Sequence, residues 1–403
     1  MTKPKNIVIC LDGTGNQIEE NLSNVLKLYR TLEKSASQIV FYDQGVGTLG
    51  HRNTWGWLTQ KIENGLGLVF GLGLDRNVIQ AYEFIVRHHA EHKVAGRKGL
   101  QGDNIFIFGF SRGAHTARVL AGLIYEIGIL KPDQIHLSGA ALTAYKQTTT
   151  PIGNDTPTTA KTYEGEGANF RRVAGTKIGA IQFLGVWDTV SSVFIPNQKG
   201  FFPPITREKL PHTSLNPAVS VFRHAIAIDE FRRMFRVDHW GANQNFKPNI
   251  HSEGASIPQD SSEVWFAGCH SDVGGGYNRD ESGLSQIPLI WMLREAKKSG
   301  LKFPKRMADY VTGVKPWTVN TKYLYPPPDV KSPLHKSLNW KWRFLEIFPK
   351  STKKREWPGR KSLLGFYIPW GEMRYIKEGA IIHQSVASRI EACSDYQAIN
   401  VPK

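Results

Sequence analysis

The segment Ile105-Phe106-Ile107-Phe108-Gly109-Phe110-Ser111-Arg112-Gly113-Ala114 constrains this chain more than any other. Its first four residues are β-branched or aromatic and read as a buried strand. Gly109-Phe110-Ser111-Arg112-Gly113 then fits G-x-S-x-G, and a helical pattern runs from Arg112 toward Gly128. A serine caught between strand and helix sits on a tight corner whose neighbours must be small. Its hydroxyl would project at the carboxyl edge of a sheet, beside a helix N-terminus that favours developing negative charge. Ser111 is therefore the expected nucleophile.

Strand and helix patterns alternate on both sides of this corner. Residues 6–11 read as a buried strand that ends in the turn Asp12-Gly13-Thr14-Gly15-Asn16. Residues 39–42, 105–108, 180–187 and 264–268 read as further strands. Helices are expected over 23–36, 75–89, 112–128 and 284–298, from apolar spacing of three and four. A helix is also expected over 218–235, with Pro217 at its start, where proline is tolerated. The alternation predicts an α/β fold: an α/β-hydrolase-like, mostly parallel sheet with helices on both faces. Residues 147–167 are polar and rich in Thr, Gly and Pro, which predicts an exposed inserted loop. After residue 300 the alternation fades. The expected organisation is a core over 1–300 and a basic, aromatic-rich C-terminal cap or accessory region over 301–403, packed on it. With 403 residues, 40% of them hydrophobic, such a core can be filled. There is no apolar run of 18 residues, so no membrane-spanning helix is expected.

A serine at its free pKa needs a base, and in this fold the order along the chain is Ser, then Asp or Glu, then His. Asp188 leaves the strand Phe183-Leu184-Gly185-Val186-Trp187, and His270 follows Val264-Trp265-Phe266-Ala267-Gly268-Cys269. Both would lie on the same sheet edge as Ser111, where ligands bind in such folds. His383, after another short apolar run, is the rival base. His224 falls in the expected helix over 218–235, where packing or a hydrogen bond is its use. Asp272 is an alternative orienter, but two positions from His270 it is more naturally a turn or helix-cap group. The oxyanion donors would be the Arg112 amide and one from Gly13 or Thr14, with Asp12 structuring that turn or meeting substrate. The Gly13 turn lacks the P-loop lysine and the full G-x-G-x-x-G spacing, so nucleotide binding is not expected. Cys10, Cys269 and Cys393 have no zinc spacing, so neither metal nor cofactor is expected. Base catalysis by histidine needs the neutral imidazole, so activity should fall on the acid side of neutrality.

The net charge is +16, and much of it is local. The stretch that begins at Lys331 and ends at Lys377 holds 12 Lys/Arg against 3 Asp/Glu. Trp340, Trp342, Phe344, Phe348, Trp357, Phe366 and Trp370 are interleaved with those cations. Tryptophan among cations suits a membrane interface, and an anionic membrane surface is the partner this stretch would meet. A solvated basic loop with some core aromatics is the plainer account.

Taken in order, Leu11-Asp12-Gly13-Thr14-Gly15-Asn16, the Gly109–Ala114 corner, Val186-Trp187-Asp188-Thr189-Val190, His224-Ala225-Ile226-Ala227-Ile228-Asp229-Glu230 and His270-Ser271-Asp272-Val273-Gly274-Gly275-Gly276-Tyr277 resemble one family. It is the α/β-hydrolase domain of the first family of type VI secretion lipase effectors, with its bacterial and fungal relatives. The resemblance implies a Ser111–Asp188–His270 triad and phospholipid esterase chemistry. It also implies a delivery or immunity protein as partner where a member acts as an effector. The main expectation is a serine hydrolase of carboxylic esters, glycerophospholipids first. The alternatives are a cytosolic small-molecule esterase without a membrane role, and a non-catalytic nucleic-acid-binding protein using the basic stretch. The triad candidates favour a lipid or other ester as substrate, with no nucleic acid expected. No signal-peptide core precedes residue 12, so synthesis in the cytoplasm is expected. Peripheral membrane binding and export without a cleaved signal both remain compatible with that.

Overall fold

A computed structural model describes residues 3–13, 22–45, 70–93, 100–148, 165–190, 194–196, 205–207, 210–249, 256–318, 325–338, 342–343, 346–352 and 355–402. Thr14, Trp340, Phe344 and residues 149–164 of the expected inserted loop lie outside these.

Seven strands form the central sheet: β1 (Asn6–Leu11), β2 (Gln38–Asp43), β3 (Asn104–Phe110), β4 (Ile181–Trp187), β5 (Val219–Ala227), β6 (Asp260–Phe266) and β7 (Ile381–Ile382). Their spatial order is β7-β6-β5-β4-β3-β1-β2, and every neighbouring pair is parallel. The α/β fold expected from the alternation is the one observed. Strands buried on both faces carry apolar residues at odd and even positions alike. Ile7, Ile9, Ile105 and Ile107 face one apolar cluster, while Val8, Cys10, Phe106 and Phe108 face the other.

Helices cover both faces. On the first lie α2 (Phe70–His88), α3 (Arg112–Ile127) and α4 (Ser138–Gln147), which bring Val78, Tyr82, Leu120, Ile124 and Tyr145 onto the sheet. On the second lie α1 (Asn24–Thr31), α7 (Gly283–Lys298) and α8 (Lys305–Val311), with Val25, Leu28, Leu289, Met292 and Val311. Further helices among the described residues are α5 (Glu166–Ala174), α6 (His270–Gly274) and α9 (Gln384–Ala392). A third cluster joins Ile226 and Trp265 of the sheet to Ile376, Val386 and Tyr396 of the C-terminal stretch. That stretch also supplies β7, which pairs Ile381 and Ile382 with Val264 and Trp265.

One expected element is corrected. Residues 218–235 do not form a helix; Val219–Ala227 is the strand β5, between β4 and β6. Burial on both faces removes the alternation that marks a half-exposed strand, so the run Phe222-Arg223-His224-Ala225-Ile226-Ala227 mimics helical spacing. Pro217 therefore precedes a strand, and His224 belongs to the middle of the sheet.

This topology positions a site. From β1 the chain goes outward to β2, then returns past β1 to β3 and proceeds the other way. The crevice at the carboxyl ends of β1 and β3 is where the order reverses, and ligands bind at such points. Asp12 and Gly13 follow β1 and Ser111 follows β3 at that crevice.

Candidate active site

Ser111 lies between the last residue of β3 and the first of α3, with φ +58° and ψ −120°. A positive φ is strained for a residue with a Cβ. The corner is held from both sides. The Ser111 amide donates to the Trp187 carbonyl of β4 at 3.1 Å, and the Ser111 carbonyl accepts from the His115 amide. The flanking glycines are steric necessities. A Cβ on Gly109 would come within 2.4 Å of the Gly113 oxygen, and one on Gly113 within 2.2 Å of the Leu11 oxygen. Both contacts are with backbone, which cannot swing aside. Gly113→Ala is therefore expected to destabilise the protein by roughly 1 to 3 kcal/mol or more. A urea unfolding midpoint equal to that of the parent would refute the steric account.

His270 opens α6 after the short link 267–269 that follows β6, and Asp188 leaves β4 at φ +37°. The two are 82 residues apart in the chain, yet His270 Nδ1 stands 2.5 Å from Asp188 Oδ2. Both are buried. A carboxylate can only accept, so Nδ1 donates the proton in this bond. Among the described residues Nε2 has no hydrogen-bond partner. The ring packs between Phe110, the residue before the serine, at 4.7 Å and the edge-on Phe235 at 4.9 Å between centroids. Glu230 Oε2 accepts from the His270 amide at 3.2 Å.

Asp188 has a second partner that no motif announces. The buried Arg374 grips it with Nη1 to Oδ1 at 2.5 Å and Nη2 to Oδ2 at 3.0 Å. Arg374 also donates to the carbonyls of Ala227 and Phe235. Burial alone would raise the Asp188 pKa, but the Arg374 charge and the His270 bond outweigh it and hold the carboxyl well below the usual range. Oδ1 further accepts from the Ala227 amide at 2.9 Å. In sequence Arg374 is one more cation in a basic stretch, and nothing marks it as the buried one. The acids of that stretch are also used internally. Glu346 accepts from the Arg233 amide, Glu356 pairs with Arg236, and Tyr367 donates to Glu372.

The remaining motif residues build the frame. His224 is wholly buried on β5. Its Nε2 accepts from the Thr189 amide at 3.1 Å and its Nδ1 meets Glu263 at 2.8 Å. It thus anchors the turn that carries Asp188, and burial keeps its pKa low despite Glu263. Asp229 accepts from the Gly268 amide at 2.7 Å, so Asp229 and Glu230 together hold the loop that delivers His270. Asp12 accepts from Gly13 N at 2.7 Å, Tyr42 Oη at 2.9 Å and Ser23 Oγ. The first of these bonds engages the Gly13 amide, one of the expected oxyanion donors. Asp272 caps α6 through the Cys269 amide at 3.0 Å and binds His335 Nδ1 at 2.6 Å. It is a cap, as its spacing from His270 implies, and not the partner of that ring. His383 caps α9, accepting from the Ser385 amide, and stacks on Phe266. The structure brings Asp188 to His270 and leaves His383 with Ser385. Among the described residues no group of three His, Cys, Asp or Glu is arranged to hold a metal. Cys10 and Cys269 are buried free thiols, and burial pushes both pKa values up.

Comparison with known proteins agrees with the resemblance read from the motifs. The family described as the T6SS phospholipase effector Tle1-like catalytic domain matches residues 5–295. An uncharacterized protein of Saccharomyces cerevisiae is 26% identical over 427 residues, covering 76% of this chain and 59% of that protein. The chain thus spans less than two thirds of that relative. A crystal structure of an uncharacterized protein from Pseudomonas aeruginosa is similar with TM-score 0.37 and 19% identity, over 75% of this chain and 47% of the other. The Tle1 effector bound to the VgrG spike of the type 6 secretion system is similar with TM-score 0.35 and 21% identity, over 70% and 52%.

Proposed function

This chain belongs to the Tle1-like phospholipase effector catalytic-domain family, and on that premise we propose that it hydrolyses carboxylic esters, glycerophospholipids in particular, with Ser111 as nucleophile. The observation that carries the reading is the buried His270–Asp188 pair, 2.5 Å apart, whose Nε2 has no partner among the described residues, on the sheet edge that also holds Ser111.

His270 Nε2 takes the proton from Ser111 Oγ as that oxygen attacks the acyl carbon. The Nδ1–H bond to Asp188 fixes the ring and its tautomer and stabilises the imidazolium that forms. The oxyanion gathers against the Arg112 amide in the first turn of α3, where the helix dipole assists. A second donor comes from the turn after β1. Gly13 would have to release Asp12 to donate. Collapse expels the alcohol, which takes the proton back from Nε2. Water then attacks the acyl-enzyme, giving its proton to Nε2, and the acid leaves as Ser111 Oγ is reprotonated.

A fluorophosphonate probe reads this chemistry without knowledge of the natural substrate. Labelling is expected on Ser111, with His270→Ala slowing it by about 10² to 10⁴-fold and His383→Ala leaving it nearly unchanged. Equal slowing in both histidine variants, or a label elsewhere, would defeat the assignment.

A further inference from the structure

We propose that the hairpin turn at Leu363 and Leu364, with Trp370 beside it, is a bilayer-insertion element that seats the protein on anionic phospholipid membranes. This deepens the proposed function, since it names the surface on which the lipid substrate would be met.

The turn leads directly into a short antiparallel pair in which Lys350 and Ser351 face Tyr367 and Phe366. Leu363 and Phe366 exchange both backbone bonds, at 2.8 and 2.9 Å, around the two central residues Leu364 and Gly365. These central residues have φ +50° and φ +78°. Two consecutive positive φ values define a turn that asparagine, aspartate or glycine fills most easily. Leucine is disfavoured there on backbone grounds. It is disfavoured by water as well, because Leu363 is 79% exposed and Leu364 is 91% exposed. Neither folding nor solubility accounts for an apolar pair at that apex.

The surroundings point to the occupant. Trp370 is 66% exposed and itself held at φ +54°, and Phe366 and Ile368 add to the same apolar surface. Leu363, Phe366, Ile368 and Trp370 line one open cleft of about 750 Å³ together with Arg360 and Lys361. Arg360 ties the loop down by donating to the carbonyls of Ile368 and Pro369. Exposed apolar side chains rimmed by cations, with tryptophan at the border, match the interface of an anionic bilayer. There the leucines enter the acyl region, the indole sits at headgroup level and the cations meet phosphate. The long-range field has the matching sign, because the stretch from Lys331 to Lys377 contributes a net +9. A soluble protein partner would also cover an apolar patch, but Arg360 and Lys361 beside it, in a stretch that stays cationic after Arg374 is set against Asp188, favour a polyanionic plane.

The element is close-coupled to the proposed site. Trp370 is four residues before Arg374, which grips Asp188. Four residues of chain span at most about 14 Å. An indole of Trp370 seated at headgroup level would therefore hold Arg374, and the Asp188 carboxylate it grips, near that surface.

The test is co-sedimentation with vesicles, using the double variant Leu363→Asp/Leu364→Asp. Both positions are exposed at a turn, so the melting temperature is expected to stay within a few degrees of the parent. The parent should pellet with phosphatidylglycerol-containing vesicles, less so at high salt and less with phosphatidylcholine alone. The double variant should lose at least tenfold in vesicle partition and in hydrolysis of vesicle phospholipid. Its turnover of a soluble short-chain ester should be unchanged. Equal pelleting of parent and variant, or equal pelleting on neutral and anionic vesicles, would overturn the proposal. So would salt-sensitive binding to a DNA duplex with none to vesicles. Failure of the hydrolase reading has a separate signature: soluble-ester turnover absent in both proteins, with vesicle binding still dependent on the two leucines.

Discussion

Ser111→Ala is expected to lower turnover of a soluble short-chain ester by roughly 10⁴-fold or more, with folding intact. The size follows from the covalent route, because no neighbouring group can replace Oγ once the acyl-enzyme is lost. The residue left behind would come from the remaining amide donors and from substrate positioning alone. The fold should tolerate the change. Alanine keeps the backbone of the corner, and the bonds that hold it run through the Ser111 amide to Trp187 and the Ser111 carbonyl from His115. Turnover within tenfold of the parent, in protein with an unchanged melting temperature, would end the claim that Ser111 is the nucleophile.

The second large effect is expected at a residue that touches no substrate. Arg374→Ala should destabilise the protein by about 3 to 5 kcal/mol, the usual cost of leaving one member of a buried ion pair uncompensated. Arg374→Lys should rescue little, because one ammonium cannot reproduce two parallel bonds to the two oxygens of Asp188. A pH profile separates the electrostatic role from packing. The Asp188 pKa is depressed in the folded protein, so the stability it contributes is present above its unfolded pKa near 3.9 and is lost as pH falls through the lower folded value. Without Arg374, burial works against the carboxylate and, among the described residues, His270 and the Ala227 amide are left to oppose it. Asp188 should then take up a proton at higher pH. The acid limb of activity and of stability should both move upward in Arg374→Ala. A variant as stable as the parent with an unmoved acid limb would contradict this account.

Arg374 also marks where reading along the chain stops. The Ser111 corner was legible because its demands are local: a strand, two small flanking residues and a helix start, all within ten positions. Asp188 and His270 were legible for a related reason. Each leaves the carboxyl end of an apolar run, and a parallel sheet puts all such ends on one edge. Asp272 could be read as a cap from its spacing alone. Sequence favoured His270 over His383 but could not show which of them stands against Asp188, since both follow short apolar runs. That follows from which strand each run becomes: β6 delivers His270 to Asp188, while β7 lies at the edge and leaves His383 to cap α9.

The strand β5 was misread because its signal depends on its neighbours. Between β4 and β6 it is covered on both faces, and coverage on both faces erases the period of two. His224 was consequently placed in a helix, when it is the buried support of the Asp188 turn. The charge of the C-terminal stretch was misleading in the same way. Composition counts Arg374 with the exposed cations, although it is completely buried.

By itself, then, the sequence determined the sheet class, the strained serine corner and the pair of strand ends that face it, because short-range sterics and periodicity specify each of these. Only the tertiary structure decided which histidine meets Asp188 and that Arg374 closes on the same carboxylate from 186 residues away. It also decided that Leu363 and Leu364 stand out in water, not in the core. Those outcomes depend on which surfaces pack together. Burial, charge pairing and exposure belong to the assembled fold, and no local pattern of residues encodes them.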